Sequence, residues 1–170
     1  SGRAMRRVCR ELLLEHRGPV KPRQAVRGLR QATLDDLALV MTVNAELAAE
    51  ECGLNPLERD ALGFRQRTAR RIEQGRVWVW VENGQLVFKA DIVADTPEAV
   101  YLEGVYVHPQ ERRKGYGLRC MTQLCRSLLA RTETVCLIVN EEQKEAQAFY
   151  RKAGYGQVGV YDTIYLQQLH

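Results

Sequence analysis

The stretch VYVHPQERRKGYGL, residues 105–118, decides the fold of this chain. Its apolar run ends at Pro109, and apolar residues recur at helical spacing from its last residue onward, so a strand should pass into a helix here. That helix start lacks the usual Ser, Thr, Asp or Asn cap. Arg112, Arg113 and Lys114 lie where the helix dipole is already positive, which costs about 0.3–1 kcal/mol for each charge.

A bound anion would resolve this conflict. An uncapped helix start presents backbone N–H groups outward, and Gly115 and Gly117 would let the backbone approach a phosphate closely. Hydrogen bonds to a charged group contribute about 1.5–3 kcal/mol each, which outweighs the repulsion. Taken alone, however, the turn is equally compatible with a solvated basic loop, in which the glycines are needed only for the backbone conformation of the turn.

The rest of the chain alternates between strand and helix patterns. The strand–helix–strand order over residues 99–139 predicts a parallel crossover beside an antiparallel meander. The first strand of the hairpin around Asn83-Gly84 is apolar on both faces, so it should be central and covered on both sides. The patterns predict helices over residues 33–51, 55–74, 115–131 and 141–153, and strands over 25–31, 76–95 (the hairpin), 99–109, 134–139 and 156–169.

Residues 1–24 are predicted to lie outside the folded domain, which would span residues 25–170. A helix over residues 5–17 is broken by RGPVKPRQ, which is typical of a linker. The first 30 residues carry a net charge of +7 and the remainder −3. This basic segment is interpreted as a solvated linker or extension, or as the remnant of a larger protein. Without interleaved aromatic residues or a known motif, it does not lead us to expect nucleic-acid binding.

Composition restricts the class of protein further. The chain has 170 residues, of which 45% are apolar, and this is typical of one folded domain. No apolar run approaches the ~20 residues that a membrane-spanning helix needs. Five cysteines without a paired spacing indicate buried free thiols and a reducing, cytoplasmic compartment. The three histidines have no ligand spacing, so no metal is expected.

Two motifs resemble one known family. The pattern Val105-Tyr-Val-His-Pro-x-x-Arg112-x-x-Gly115-x-Gly117 resembles the acetyl-CoA-binding motif of the GNAT (Gcn5-related) N-acetyltransferase superfamily. LIVNEEQKEAQAFYRKAGY, residues 137–155, is similar to a second family motif. The resemblance implies an α/β fold of the α+β type: a mixed, mostly antiparallel central sheet with a parallel βαβ crossover at the CoA site and helices on both faces.

The resemblance also assigns residues to the cofactor, acetyl-CoA. The strand backbone would pair with the pantetheine arm, and the turn would surround the pyrophosphate, mostly through backbone N–H groups. Asn140 and Gln143 match cofactor-contacting positions, although the family's usual residue at the second is Asn. Their spacing is also that of a helix capping box. The cofactor residues are thus Val105, Tyr106, Val107, Arg112, Arg113, Lys114, Gly115, Tyr116, Gly117, Leu118, Asn140 and Gln143.

Two residues are candidates for catalysis. Tyr150 lies where the family has its general acid, although an apolar helical stripe would also place it in a core. Glu103 is the candidate base, because simple alternation gives its side chain the same face as Val105. A water relay is the alternative to Glu103, since an amine with a pKa near 10 must lose a proton before it attacks.

The sequence therefore predicts an acetyl-CoA-dependent N-acetyltransferase that acts on a primary amine. Glutamates in the first two predicted helices favour a cationic acceptor, whose identity the sequence does not give. The sequence is also compatible with a homodimer. The alternative is a catalytically silent GNAT module that binds acetyl-CoA as a sensor or regulatory domain.

Overall fold

Seven strands form one mixed sheet in the computed structural model, which describes residues 5–166 and, for side chains, residues 9–164. The strand order is β2-β3-β4-β5-β6-β1-β7, and the β5–β6 pair is parallel while the other neighbours are antiparallel. The strands are β1 (Met5–His16), β2 (Arg30–Gln31), β3 (Val77–Glu82), β4 (Gln85–Asp95), β5 (Ala99–Val107), β6 (Thr134–Asn140) and β7 (Gly156–Leu166).

Within residues 5–166, four α-helices cover the sheet on both faces. They are α1 (Leu37–Cys52), α2 (Pro56–Glu73), α3 (Tyr116–Leu129) and α4 (Lys144–Lys152). Buried residues of α1 and α2 pack with Val77 and Val79 of β3 on one face, and buried residues of α3 and α4 pack with β4, β5 and β6 on the other. The mixed, two-faced fold predicted from the sequence is confirmed.

Local sequence signals explain most element boundaries. Asn55 caps α2 by accepting a hydrogen bond from the N–H of Leu57, and Pro56 occupies the first helical position. At the hairpin between β3 and β4, Asn83 and Gly84 have φ values of 50° and 73°, which only a few residue types adopt readily. Although β3 is covered on both faces as predicted, it is the second strand from the edge, beside a β2 of two residues.

The prediction of a helix over residues 5–17 is wrong, because these residues form β1. Its backbone pairs with β6 on one side and with β7 on the other, so Glu11 lies opposite both Asn140 and Tyr161. Leu12 and Leu14 are buried. A short apolar run such as Leu12–Leu14 fits a helix and a buried strand equally well, and the pairing partners lie more than 120 residues away along the chain.

The segment after β1 crosses the sheet along α3. Gln123 makes two hydrogen bonds with the backbone of Val26, at 2.7 and 3.0 Å, and Arg119 donates to the carbonyls of Gln24 and Ala25. Long-range contacts of this kind fix an otherwise irregular connection. Among the described residues, no helix combines the length and the apolar composition that crossing a membrane requires.

A truncation tests the domain boundary that the sequence predicts at residue 24. We expect removal of residues 1–24 to abolish cooperative unfolding, because β6 and β7 would lose the strand between them. We expect Leu14→Ala to lower the free energy of unfolding by about 2–5 kcal/mol, since it leaves a cavity in the core. Denaturant titration measures both effects.

Leu34→Ala is the matched control. Leu34 is half exposed, so this variant should change the free energy of unfolding by less than about 0.5 kcal/mol. A truncated chain that still unfolds cooperatively, together with a neutral Leu14→Ala, would instead establish residue 25 as the start of an independent domain.

Candidate functional site

The turn between β5 and α3 has the geometry of an anion site. A short 3₁₀ turn, Pro109–Glu111, leads to Arg113 at φ 64° and Gly115 at φ 83°, and α3 then begins at Tyr116 without a side-chain cap. Left-handed residues beside right-handed ones form concave arrays of backbone N–H groups that bind anions. The predicted uncapped helix start is confirmed. Binding of a phosphate at this helix start remains a prediction.

The cations of this turn make local contacts. Arg112 donates to the carbonyl oxygen of Val107 at 2.9 Å, so its guanidinium ties the turn to the end of β5. Lys114 pairs with Glu111 at 3.0 Å, and the side chain of Arg113 is almost fully exposed. Exposed pairs contribute little to stability, so both side chains can turn toward an incoming anion at small cost.

The two glycines of the predicted motif have different environments. A Cβ atom on Gly115 would meet no atom within 4 Å, so the backbone there faces open space. A Cβ atom on Gly117 would lie 2.6 Å from a methyl group of Val107 and 3.3 Å from the ring of Phe149. Gly117 therefore lets α3 pack closely against β5 and α4, and Gly115 leaves the helix start accessible.

A gap opens between β5 and β6 next to this turn. Within the described backbone, pairing between the two strands is confined to Ala99–Tyr101 of β5 and Thr134–Cys136 of β6. Beyond Tyr101, β5 stays paired with β4, up to Val107 opposite Phe88. The edge of β5 that faces β6 is therefore open over the predicted cofactor residues Val105, Tyr106 and Val107.

Tyr150 lies on α4, in the core cluster against which Val105 and Val107 of β5 pack. It is 9% exposed, and its ring meets those of Phe149 and Tyr155 edge to face, at centroid distances of 5.2 and 5.7 Å. Burial, with the nearby Cys125 thiol, raises the pKa of Tyr150 well above that of an ordinary phenol. The phenol is therefore protonated at neutral pH.

The structure adds two residues to this cluster that the sequence did not single out. Tyr155 and Cys125 are buried, and the Tyr155 hydroxyl and the Cys125 sulfur are 3.0 Å apart. Burial raises the pKa of the Cys125 thiol to about 11, so the thiol is neutral. Tyr155 is the last residue of the second motif and lies between α4 and β7, and nothing in the local pattern linked it to Cys125 of α3.

Asn140 and Gln143 lie at the end of β6. The Asn140 side chain accepts a hydrogen bond from the N–H of Glu142 at 2.8 Å, and thereby holds the turn before α4. Gln143 precedes α4 without making a side-chain cap, so the helix begins at Lys144 rather than at residue 141 as predicted. The Asn140 carbonyl accepts from Gln147, a buried residue that the sequence interpretation missed.

Glu103 does not share a face with Val105 as predicted. Lys89 and Asp91 of β4 lie opposite Tyr106 and Glu103, so β5 has one extra residue between them. This bulge contains Gly104, which has φ 59°. A bulge breaks the alternation of side chains, so Glu103 and Tyr106 are both on the α1 side of the sheet.

A buried ion pair lies under the bulge. Lys89 is fully buried and its Nζ atom is 2.9 Å from Oδ2 of Asp91, which Arg71 of α2 also approaches at 3.4 Å. Burial lowers the pKa of Lys89, although the charge of Asp91 opposes this shift. Gly104 has a left-handed φ of 59°, and a Cβ atom there would come within 2.7 Å of the Lys89 amine, so a larger residue would be strained. In the sequence, the one indication of this buried pair is a single lysine within the mostly apolar stretch QLVFKADIV.

No group of three or more His, Cys, Asp or Glu residues in the part of the chain that the structure describes could hold a metal ion.

Comparison with known proteins gives one family. A model of the acetyltransferase (GNAT) family matches residues 42–155. A UPF0039 protein of Schizosaccharomyces pombe is 32% identical over 73 residues, which are 43% of this chain and 49% of that protein.

Solved structures agree in fold. A GNAT-family acetyltransferase of Colwellia psychrerythraea has a TM-score of 0.72 and 15% identity, covering 96% of this chain and 58% of its own. A "predicted acetyltransferase with acetyl-CoA" of Clostridium acetobutylicum has a TM-score of 0.58 and 16% identity, covering 76% of this chain and 90% of its own. The chain thus spans about half the length of the Schizosaccharomyces relative and 58% of the Colwellia protein.

The close approach at Gly117 yields a test of the site's scaffold. We expect Gly117→Ala to lower the free energy of unfolding by about 1–3 kcal/mol, because the new methyl group would overlap Val107. Gly156→Ala is the control, since a Cβ atom there meets open space at an ordinary φ. Equal unfolding midpoints for the two variants in urea would contradict the packing role of Gly117.

Proposed function

The chain belongs to the GNAT acetyltransferase family, and from this premise we propose that it is an acetyl-CoA-dependent N-acetyltransferase acting on a primary amine. The observation that carries the proposal is the open edge of β5 beside the uncapped start of α3. An extended amide-containing arm can pair with such an edge as an added strand would, while phosphates bind the helix start. These two features adjoin each other at residues 105–118.

The turn would bind the pyrophosphate through its backbone. The N–H groups following Gly115, on Tyr116, Gly117 and Leu118, have no intrahelical acceptor at a helix start. The side chains of Arg113 and Lys114 add charge, which the exposed Glu145 and the partly exposed Glu111 only weakly neutralise. Arg112 contributes indirectly, because its bond to the Val107 carbonyl fixes the turn relative to the strand. We also propose Asn140 and Gln143 as contacts of the cofactor's arm at the far side of the gap.

Acyl transfer forms a carbon–nitrogen bond and breaks a carbon–sulfur bond, so the amine loses a proton and the sulfur gains one. An N–H group of β5 at residues 105–107 would polarise the thioester carbonyl. Glu103, exposed on the α1 side of the bulge, would accept the amine proton directly or through water. Tyr150 would donate to the departing thiolate.

Tyr150 suits the role of a general acid rather than of a base. With ordinary pKa values of about 10 for a phenol and 8.5 for a thiol, complete proton transfer is uphill by about 2 kcal/mol. Burial raises the pKa of Tyr150 and adds to that cost. A hydrogen bond to the developing negative charge offsets part of this cost, because the proton moves only as the charge on sulfur develops.

The proposal also covers the cellular compartment, the acceptor and the state of assembly. All five cysteines are free, which is compatible with a reducing, cytoplasmic compartment. The acceptor amine can belong to a small molecule or to a protein, and a homodimer remains one state of assembly to be tested. We expect neither metal dependence nor nucleic-acid binding.

Coenzyme A binding is the first test. We expect CoA at about 100 times its Kd to raise the free energy of unfolding by about 2.7 kcal/mol, visible as an increase in Tm. Replacing both Arg113 and Lys114 by Gln should weaken binding about tenfold, whereas Arg151→Gln on the exposed side of α4 should not. A chain whose Tm is unchanged by excess CoA would contradict the proposed site.

Tyr150→Phe tests the acid. The variant keeps the ring and its packing, so folding and CoA affinity should be retained while kcat falls by roughly 10²–10⁴. Tyr161→Phe is the control, because Tyr161 is half exposed on β7. Release of free thiol from acetyl-CoA with a panel of amines measures the rate. Normal turnover by the Phe variant would identify Tyr150 as a core residue, and absence of turnover by the unmodified chain with bound CoA would favour a silent module.

A further inference from the structure

Two segments that contain no carboxylate lie side by side on the surface of the molecule. The connection that follows β1, residues 17–30, holds five cations. The turn before α3 and the helix itself, residues 112–131, hold six. We call the surface that these two segments form the basic face.

Hydrogen bonds hold the connection against α3. Arg119 donates to the carbonyls of Gln24 and Ala25 at 3.1 and 2.9 Å. Arg126 donates to the carbonyl of Lys21 at 3.3 Å. Because a carbonyl oxygen carries no net charge, these bonds fix the position of each guanidinium and leave its charge without a counterion.

Fewer than half of the cations on the basic face have a carboxylate partner. The ion pairs are Arg17–Glu15, Arg30–Asp36, Arg113–Glu145, Lys114–Glu111 and Arg131–Asp95. Six cations form no ion pair with any side chain in the range 9–164, namely Lys21, Arg23, Arg27, Arg112, Arg119 and Arg126. The basic face therefore presents a surplus of positive charge to solvent.

The unpaired cations lie within electrostatic range of the turn before α3. Arg119 is about 4.5 Å along the helix axis from Tyr116, where α3 begins, and Arg126 is about 15 Å from it. Attraction between exposed charges extends over about 10 Å at 0.1 M salt and about 30 Å at 0.01 M. Arg23 and Arg27 are each within two residues of the point where Arg119 holds the connection. They therefore act on an anion that approaches the turn.

Coenzyme A suits such a surface, because one small molecule carries both a pyrophosphate and a phosphate monoester. Charge of one sign around a site raises the rate of association by about 10- to 1,000-fold. This effect needs no contact in the final complex, so cations outside a binding site change the association rate more than the dissociation rate. The carboxylates nearest the turn, Glu111 and Glu145, are each already paired with a cation.

We propose that the basic face guides polyanionic CoA to the turn before α3 by long-range attraction, and that Lys21, Arg23 and Arg27 speed its arrival without contacting it once bound. The inference rests on the proposed binding of CoA. It concerns the rate at which the cofactor reaches its site, whereas the proposed function concerns the site itself.

Stopped-flow mixing with etheno-CoA, a fluorescent derivative of CoA, measures association and dissociation separately. For the unmodified chain we expect an association rate that falls steeply as salt rises. The triple variant Lys21→Gln/Arg23→Gln/Arg27→Gln should associate about tenfold more slowly at about 0.01 M salt. Its dissociation rate should stay within about twofold of that of the unmodified chain. At about 1 M salt the two association rates should be equal, because attraction is then screened beyond about 3 Å.

A second triple variant is the matched control. It removes three exposed cations of α2, which also form no ion pair in the range 9–164 but lie away from the basic face: Arg59→Gln/Arg65→Gln/Arg70→Gln. Both triple variants change the net charge by the same amount. The control should associate with etheno-CoA as the unmodified chain does, and equal unfolding midpoints in urea should show that all three chains are folded.

The outcomes separate guidance from binding. Equal slowing in the two triple variants would assign the effect to net charge, and an association rate that does not depend on salt would exclude attraction at long range; either result overturns the proposal. Faster dissociation from the first variant would overturn it too, since its side chains would then contact bound CoA. Binding at a rate that no substitution changes would overturn the guidance alone. An unmodified chain that binds no CoA would contradict the proposed function together with the guidance.

Discussion

Strand β5 keeps one edge paired to β4 while its other edge separates from β6 after three residues, and the rest of the molecule depends on this asymmetry. Backbone N–H and C=O groups need partners, so an edge left open inside a sheet requires another chain or water. The bulge at Gly104 bends β5 where the strands part. The turn before α3 lies at the Val107 end of the opening, so one irregular strand relates the open edge to the uncapped helix start.

Much of the fold could be predicted because its signals are local. The cap at Asn55, the Asn83-Gly84 turn and the uncapped start of α3 each follow from residues within one turn of each other. The nature of β1 could not be predicted in this way. Its apolar run is compatible with two periodicities, and the choice between them is made by strands at the other end of the chain.

In the candidate site too, some features follow from local sequence and others depend on residues elsewhere in the chain. The residues of the turn were predictable from spacing, because their geometry is set by neighbours. The face occupied by Glu103 was not, because one extra residue in β5 reverses every side chain before it relative to the simple alternation. The Lys89–Asp91 pair was missed for a related reason: alternation in β4 gave no indication that two charges would be enclosed under α2. Such a pair costs desolvation energy, which its geometry must offset.

The position of β1 has a consequence for how the chain acquires its structure. Glu11 and Tyr161 are neighbours in the sheet although about 150 residues separate them in sequence. Contacts of such long range slow folding, because a large loop must close before they form. During synthesis the first strand emerges early and can complete its pairing only after β6 and β7 have left the ribosome. Until then the side chains of Leu12 and Leu14 lack the neighbouring strands beside which they are buried, and apolar surface exposed in this way promotes aggregation.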